Sequence, residues 1–313
     1  LGWISLILII TMPINVRSLH TQGSYYYLTK STYNYSNQIL PLPSPQYKDS
    51  MLWLRDNTSK DSVVASWWDY GYYIQTVAER PTFIDGGNAL GAWNHLFSRS
   101  VLTSNNSTEA LEFLKSHNSS HLLISSQEIS KYKVISLISS DQNLDREGEI
   151  FGVGLVSTSE TRNGTSYLFA SDMPVDESFY YNNEIFLKKT TIIHKIKINI
   201  INNQNGIEFE QPIATFIKNN KQYEIPIKCI YYNKKEIIFD KEGIDSCVML
   251  LPTFENEEIY NFKTGIYLSP KIKNTLFTQL YLFNKEIPGF NLVYSDETTN
   301  NHGYIKDINL IIG

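Results

Sequence analysis

Ser62–Val63–Val64–Ala65–Ser66–Trp67–Trp68–Asp69–Tyr70–Gly71 runs from a short apolar segment straight into two tryptophans, a carboxylate, a tyrosine and a glycine. Val63–Val64–Ala65 predicts a short buried strand. Gly71 allows a turn or the close approach of another segment. Two tryptophans at the end of a buried strand, with a carboxylate next to them, make an aromatic shelf that carries an acceptor. Indole N–H groups only donate and Asp69 only accepts, so together they can bracket one hydroxyl, which does both. A site of that kind rejects a ligand lacking the hydroxyl by about 10⁴-fold or more in the best cases. Two core tryptophans with a helix-capping aspartate is the plainer reading, and residue types alone leave it open.

The flanking sequence alternates strands with helices. Ser44 to Asn57 predicts a helix with Pro45 in its first turn and Met51, Leu52 and Leu54 near one face. Beyond Gly71, Tyr72 to Ala78 reads as helix and Thr82–Phe83–Ile84 as a second strand, closed by the turn Asp85–Gly86–Gly87–Asn88. Helices follow over Ala89–Leu102 and Ser107–His117, the latter capped by Ser107 or Thr108. His121–Ser125 is a third apolar strand, and Ser126 can cap a helix running to about Ile138. After about residue 150 the character changes, and from Ile185 the pattern is strand after strand, with turn signals such as Asn205–Gly206 and Glu242–Gly243. Ser269–Phe283 reads as a helix, and Phe290–Tyr294 and Tyr304–Ile312 as final strands. The expected fold is α+β, a mixed α/β core over 47–175 that bears the Trp-Trp-Asp-Tyr-Gly turn. A β-rich, barrel-like module follows over 176–268, and a C-terminal helix and strands over 269–313 return to complete the core.

The beginning differs from the rest. Leu1 to Ile14 is apolar and uncharged, shorter than the roughly 20 residues of a full span. Residues 1–15 are expected to be the end of a truncated transmembrane helix, with a polar linker over 16–46. A signal-peptide core or a buried helix would look similar.

Composition narrows the function classes. The 313 residues carry a net charge of −5, which argues against nucleic acid, since phosphate binding requires a basic face. Cys229 and Cys247 are the only cysteines, so neither a zinc framework nor a disulfide-rich scaffold is present. They could bridge neighbouring strands in an oxidising compartment, or remain two buried thiols. The six histidines show no ligand spacing. Asn34, Asn57, Asn105, Asn106, Asn118 and Asn163 each begin an Asn-X-Ser/Thr triplet, acceptors for glycan on an extracytoplasmic chain.

Trp67–Trp68–Asp69–Tyr70–Gly71 matches the signature pentapeptide WWDYG of the catalytic subunits of oligosaccharyltransferases, and the chain resembles their C-terminal globular domain. The preceding Val63–Ser66, the turn at Asp85–Gly87, and the pattern of Thr275–Phe283 followed by Phe290–Glu297 extend the resemblance over about 45–313. It is strong over 50–140 and diffuse over 175–265. A second family element is Asp-x-x-Lys followed four residues later by Ile or Met. Here Glu128, Lys131 and Ile135 stand at that spacing, with Glu128 in place of Asp, and share one helix face. An amphipathic helix with one exposed ion pair is the alternative.

The resemblance implies that Trp67, Trp68, Asp69, Tyr70, Gly71, Glu128, Lys131 and Ile135 form the pocket for the Ser or Thr of an Asn-X-Ser/Thr acceptor. It points to an enzyme of archaeal or bacterial single-chain type that uses a lipid-linked oligosaccharide donor. Partners would be an acceptor polypeptide, the donor, and a membrane reached through a missing N-terminal part, with this domain on the extracytoplasmic face. An asparagine amide is a poor nucleophile because resonance ties up its lone pair. The family is understood to activate it with carboxylates and Mg²⁺ or Mn²⁺ held between membrane helices. No Asp-x-Asp occurs here, so no catalytic or metal residue is expected in this chain, which should recognise acceptor without catalysing transfer alone. The competing classes are a non-catalytic carbohydrate-binding or adhesion module and a structural ectodomain.

Overall fold

The computed structural model describes residues 45–312 except 163, 204–205, 256–257 and 297–307, together with Lys30 and Tyr33. The chain divides into two compact units, Leu1–Lys48 and Asp49–Gly313, and the second carries every strand described. The expected transmembrane remnant lies outside the described residues. Among those described, no helix is long and apolar enough to cross a membrane.

Along the chain, α1 (Pro45–Asn57) leads to β1 (Val63–Ala65), a 3₁₀ turn (Trp68–Tyr70) and α2 (Gly71–Thr76). Next come α3 (Gly91–Phe97), α4 (Ser107–Ser116), β2 (Ser119–Ser125) and α5 (Gln127–Ile138). The strands β3 (Phe151–Thr161), β4 (Gly164–Pro174), β5 (Phe179–Tyr181), β6 (Glu184–Phe186) and β7 (Ile192–Asn203) follow. They are continued by β8 (Gly206–Phe209), β9 (Ile213–Lys218), β10 (Lys221–Tyr232), β11 (Lys235–Ile238), β12 (Ile244–Glu255) and β13 (Glu258–Leu268). The short α6 (Pro270–Lys273), β14 (Asn291–Ser295) and β15 (Ile308–Ile312) end the described chain.

Two sheets organise these elements. The smaller has the order β1-β2-β15-β14. β1 and β2 are parallel, with Val64 opposite His121 and Ala65 opposite Leu122, and β15 runs antiparallel to β2. The helical stretch between β1 and β2 supplies the long crossover that a parallel pair needs. The larger sheet closes on itself, because β9 pairs with both β7 and β10. The ring β10-β12-β13-β3-β4-β7-β9 is a seven-stranded barrel, with β8 and β11 extending it. Alternation fills its interior: Ile196, Ile198 and Ile200 of β7 point inward with Phe169, Phe216, Ile225, Ile227 and Val248. The fold is thus mixed α/β with a barrel-like module, the class expected.

Several local expectations are corrected. The barrel begins at Phe151, whereas the sequence pattern places residues 151–174 in the α/β core. That hairpin carries few deeply buried apolar residues, Phe151, Val153 and Phe169, so its strand character is faint in sequence. Thr82–Ile84 is not a strand. Pro81 contributes its carbonyl to Val64 N–H at 2.9 Å, while Thr82 Oγ1 curls back to Ile84 O at 3.2 Å. The helix expected over 269–283 is broken after α6 into a π-type turn at Thr278–Leu282, where Thr275 Oγ1 donates to Ile272 O at 2.9 Å. Threonine hydroxyls compete with helical backbone bonds in this way. The helix expected over 89–102 likewise starts at Gly91 and finishes in a π-type turn from Ser98.

Cys229 and Cys247 sit opposite one another on the parallel strands β10 and β12 and are joined as a disulfide. The bond staples the barrel at the seam between those two strands. Replacing both cysteines by alanine is expected to lower unfolding free energy by about 3 kcal/mol, the chain-entropy value for a closed loop of this size. Urea denaturation with and without reductant measures it, and an unchanged midpoint would show that the seam holds without the bond.

Candidate functional site

β1 and β2 are parallel, so their C-terminal ends emerge at the same edge of the sheet. The chain leaving β1 passes through Trp67, with extended backbone (φ −60°, ψ 144°), into the 3₁₀ turn and directly on into α2. The chain leaving β2 turns into α5. The side chains of these two turns meet.

Gly71 explains the tightness of the first turn. A Cβ on Gly71 would stand 2.5 Å from both Ile84 O and Asp85 Cα, so the backbone of the Asp85–Gly87 turn occupies the space a side chain would need. Tyr72 lies over that same turn, where a Cβ on Gly86 would be 2.8 Å from its ring. Within the pentapeptide, Trp67 and Tyr70 are buried, whereas Trp68 and Asp69 are half-buried at the surface. The expected shelf of two tryptophans is therefore one tryptophan, Trp68, backed by Trp67 with ring centroids 6.2 Å apart.

Asp69 Oδ2 receives a hydrogen bond and ion pair from Lys131 Nζ, 62 residues away in sequence. Lys131 is held in place by Gln127 Oε1 at 3.0 Å, one helical turn back, and stands 5.6 Å from the Tyr70 ring centroid. The Asp69 and Lys131 side chains remain 21% and 34% accessible. A pair that exposed contributes at most about 1 kcal/mol to stability, which is a weak reason to fix a carboxylate and an ammonium at the edge of the sheet.

Beneath this pair lies a buried polar junction. Tyr70 donates its hydroxyl to Ser125 Oγ at 3.2 Å. Ser125 Oγ accepts Gln127 N–H at 3.1 Å, and Ser125 N–H donates to Glu128 Oε2 at 2.8 Å. This reciprocal arrangement is a capping box at the start of α5. Ser126, expected as the cap, makes no side-chain capping bond. Burial pushes the Glu128 carboxyl up to about 8, opposed by the Ser125 N–H, the Lys131 charge and the Tyr70 hydroxyl. Glu128 is therefore mostly neutral at pH 7, and a neutral acid tolerates its partnerless buried Oε1 far better than a carboxylate would.

The shared helix face of 128, 131 and 135 is real, but it points into the molecule. Glu128 and Ile135 are buried, and Lys131 alone of the three reaches the surface. Ser125 and Gln127 join the site without having been expected there. The pattern Ser-x-x-Glu at 125–128 is a helix-start signature visible in sequence, whereas nothing in sequence marks Gln127. Among the described residues, no group of three or more His, Cys, Asp or Glu side chains is arranged to hold a metal ion. Glu147 is paired with Lys188 and Lys189, and Glu149 with Lys133.

The raised Glu128 gives a pH signature. Between about 4.5 and 8 the folded chain keeps a proton that the unfolded chain releases, so this group makes stability fall as pH rises through that window. Glu128→Gln removes the titration. Its stability relative to wild type is expected to improve by at least about 1 kcal/mol from pH 5 to pH 8. Parallel denaturation curves at those pH values test this, and a constant difference would mean that Glu128 is ionised when folded. Gly71→Ala should displace the turn at Asp85 and destabilise by about 1–3 kcal/mol, readable in the same measurement.

Comparison with known proteins finds similarity over the segment that carries the site. Residues 60–148 match the family model described as the STT3/PglB/AglB core domain. The chain is 30% identical over 108 residues to the STT3 subunit of dolichyl-diphosphooligosaccharide–protein glycosyltransferase from Saccharomyces cerevisiae. It is 35% identical over 80 residues to the corresponding subunit of Schizosaccharomyces pombe. Those segments span 31% and 25% of this chain but only 14% and 10% of the relatives. Among solved structures, the C-terminal domain of C. jejuni PglB is similar at a TM-score of 0.45 and 12% identity, covering 85% of this chain and 98% of that one. The segment that matches this core-domain model, residues 60–148, is the one in which Asp69 meets Lys131, and the chain spans only a small part of the length of the relatives it matches.

Proposed function

We propose that this chain is the acceptor-recognition part of an oligosaccharyltransferase and holds the Ser or Thr hydroxyl two residues after the asparagine that receives the glycan. The observation that carries this reading is the meeting of Asp69 and Lys131 beside Trp68, on two turns that emerge from one sheet edge. Asp69 spends one oxygen on Lys131, and a carboxylate has about four lone-pair sites, so it can still accept from an incoming hydroxyl. The Trp68 indole N–H is the donor that such a hydroxyl requires. Trp67, Tyr70, Gly71, Glu128 and Ile135 act from behind, by fixing where Asp69, Trp68 and Lys131 stand.

Transfer itself needs groups outside this chain. A metal such as Mg²⁺ or Mn²⁺ and the carboxylates that activate the amide belong, in this reading, to the membrane-embedded remainder of the parent, which also binds the lipid-linked oligosaccharide. The domain lies on the extracytoplasmic face of the membrane. The Cys229–Cys247 disulfide supports that side, because structural disulfides persist in oxidising compartments.

The test is glycan transfer to a fluorescent Asn-X-Thr peptide by membranes containing the full-length parent. Asp69→Ala and Trp68→Ala are each expected to lower transfer by about 10- to 100-fold, the equivalent of a hydrogen bond to a charged group at about 1.5–3 kcal/mol. Replacing the peptide threonine by alanine should cost wild type a similar factor and cost Asp69→Ala almost nothing more. If both folded variants transfer like wild type, the pentapeptide is core packing, and a carbohydrate-binding or adhesion module becomes the better reading.

A further inference from the structure

We propose that Asn57 is itself a modification site, the point at which the folded chain accepts an N-linked glycan. Four Asn-X-Ser/Thr triplets fall among the described residues, and all four asparagines are exposed. Folding treats their hydroxyl residues differently, and a transferase that grips the hydroxyl needs it free. Ser120, two residues after Asn118, is half-buried in β2, where its Oγ reaches Val63 O at 3.4 Å and His121 Nδ1 at 2.9 Å. Ser107 and Thr108, which follow Asn105 and Asn106, are already inside α4. Asn106 is further held by Thr108 N–H and Glu109 N–H, both donating to its Oδ1.

Asn57 differs in where its hydroxyl residue stands. It ends α1, and Ser59, its hydroxyl residue, is exposed on the turn that leads to β1. Ser59 Oγ makes a long contact with Asp61 N–H, at 3.5 Å. The amide of Asn57 donates one N–H to Trp53 O at 2.9 Å, and a glycosylated amide retains one N–H to keep that bond. Between them, Thr58 is fixed by Arg80, whose Nε and Nη2 donate to Thr58 Oγ1 and O at 2.8 and 2.7 Å. The triplet is thus presented on a firm base with Asn57 and Ser59 both exposed. It also precedes β1, so the attachment point lies at the opposite end of that strand from Trp67 and Asp69.

In the reaction, Asn57 Nδ2 forms a bond to the anomeric carbon of a lipid-phosphate-linked oligosaccharide. The bond from that carbon to the phosphate oxygen breaks, the lipid phosphate leaves with the electron pair, and the amide proton passes to a base of the transferase. The inference needs only that this chain meets such a transferase. It holds whether or not the chain is part of one.

The experiment is glycopeptide mass analysis of the full-length parent purified from its own membranes. The peptide bearing Asn57 is expected to carry a constant added glycan mass, lost in Asn57→Gln and equally in Ser59→Ala, which keeps the asparagine. Peptides bearing Asn105, Asn106 and Asn118 should be unmodified. Transfer to external peptide by Asn57→Gln should match wild type. An unmodified Asn57, or glycan at Asn105, Asn106 or Asn118, overturns the proposal, the latter because modification would then precede the folding that distinguishes the sites.

Discussion

Ser125 is where the architecture of the α/β layer is decided. It is the last residue of β2, its N–H donates to the Glu128 carboxyl, and its hydroxyl meets both Gln127 N–H and the Tyr70 hydroxyl. One small residue therefore ends a strand, starts a helix and receives the turn that follows β1. The parallel pairing of β1 and β2 makes this convergence possible, since an antiparallel pair would have sent the two turns to opposite edges. Once Tyr70 is docked on Ser125, Asp69, one residue earlier, is held opposite Lys131.

The barrel secures the other end of the same helix. Ser136 Oγ of α5 accepts Gly148 N–H at 3.0 Å and donates to Gly148 O at 2.7 Å. The next residue, Glu149, gives its N–H to the buried Asp176, which also accepts from Ser269 Oγ at 3.1 Å. Asp176 lies just after β4 and Ser269 just after β13, so one carboxyl ties two barrel strands to the segment that follows α5. Burial raises that carboxyl to about 6. α5 is thus fixed at its start by the pentapeptide turn and at its end by the barrel, which leaves Lys131 little freedom except in its own side chain.

Strong patterns are legible in the residues: the isoleucine alternation of β7 marks a barrel strand, and Val63–Ala65 a buried one. Positions where a side-chain hydroxyl competes with the backbone read badly, as at Thr275 and Ser98, because periodicity carries no information about those bonds. The shared face of Glu128, Lys131 and Ile135 is correct as geometry and misleading as exposure. Helical spacing says which residues point the same way, not whether that way is out. Glu128 is held inward by the Ser125 N–H, on the residue that also receives Tyr70.

Burial of Glu128 also sets the charge around Lys131. Glu128 lies three residues before Lys131, close enough on one helix face for an ionised carboxylate to compete for the ammonium. Kept neutral by burial, it offers Lys131 no such rival, and the ammonium is free to face Asp69. The carboxyl group nearest in sequence is in this way removed from the electrostatics, and the one 62 residues distant takes its place. Gln127 and the Tyr70 ring hold Lys131 from two further sides, neither of them carrying charge. The carboxylate at the sheet edge is therefore oriented by a cation whose other neighbours are neutral, the kind of rigid support a hydroxyl-binding site needs if its donor and acceptor are to be in place before the ligand arrives.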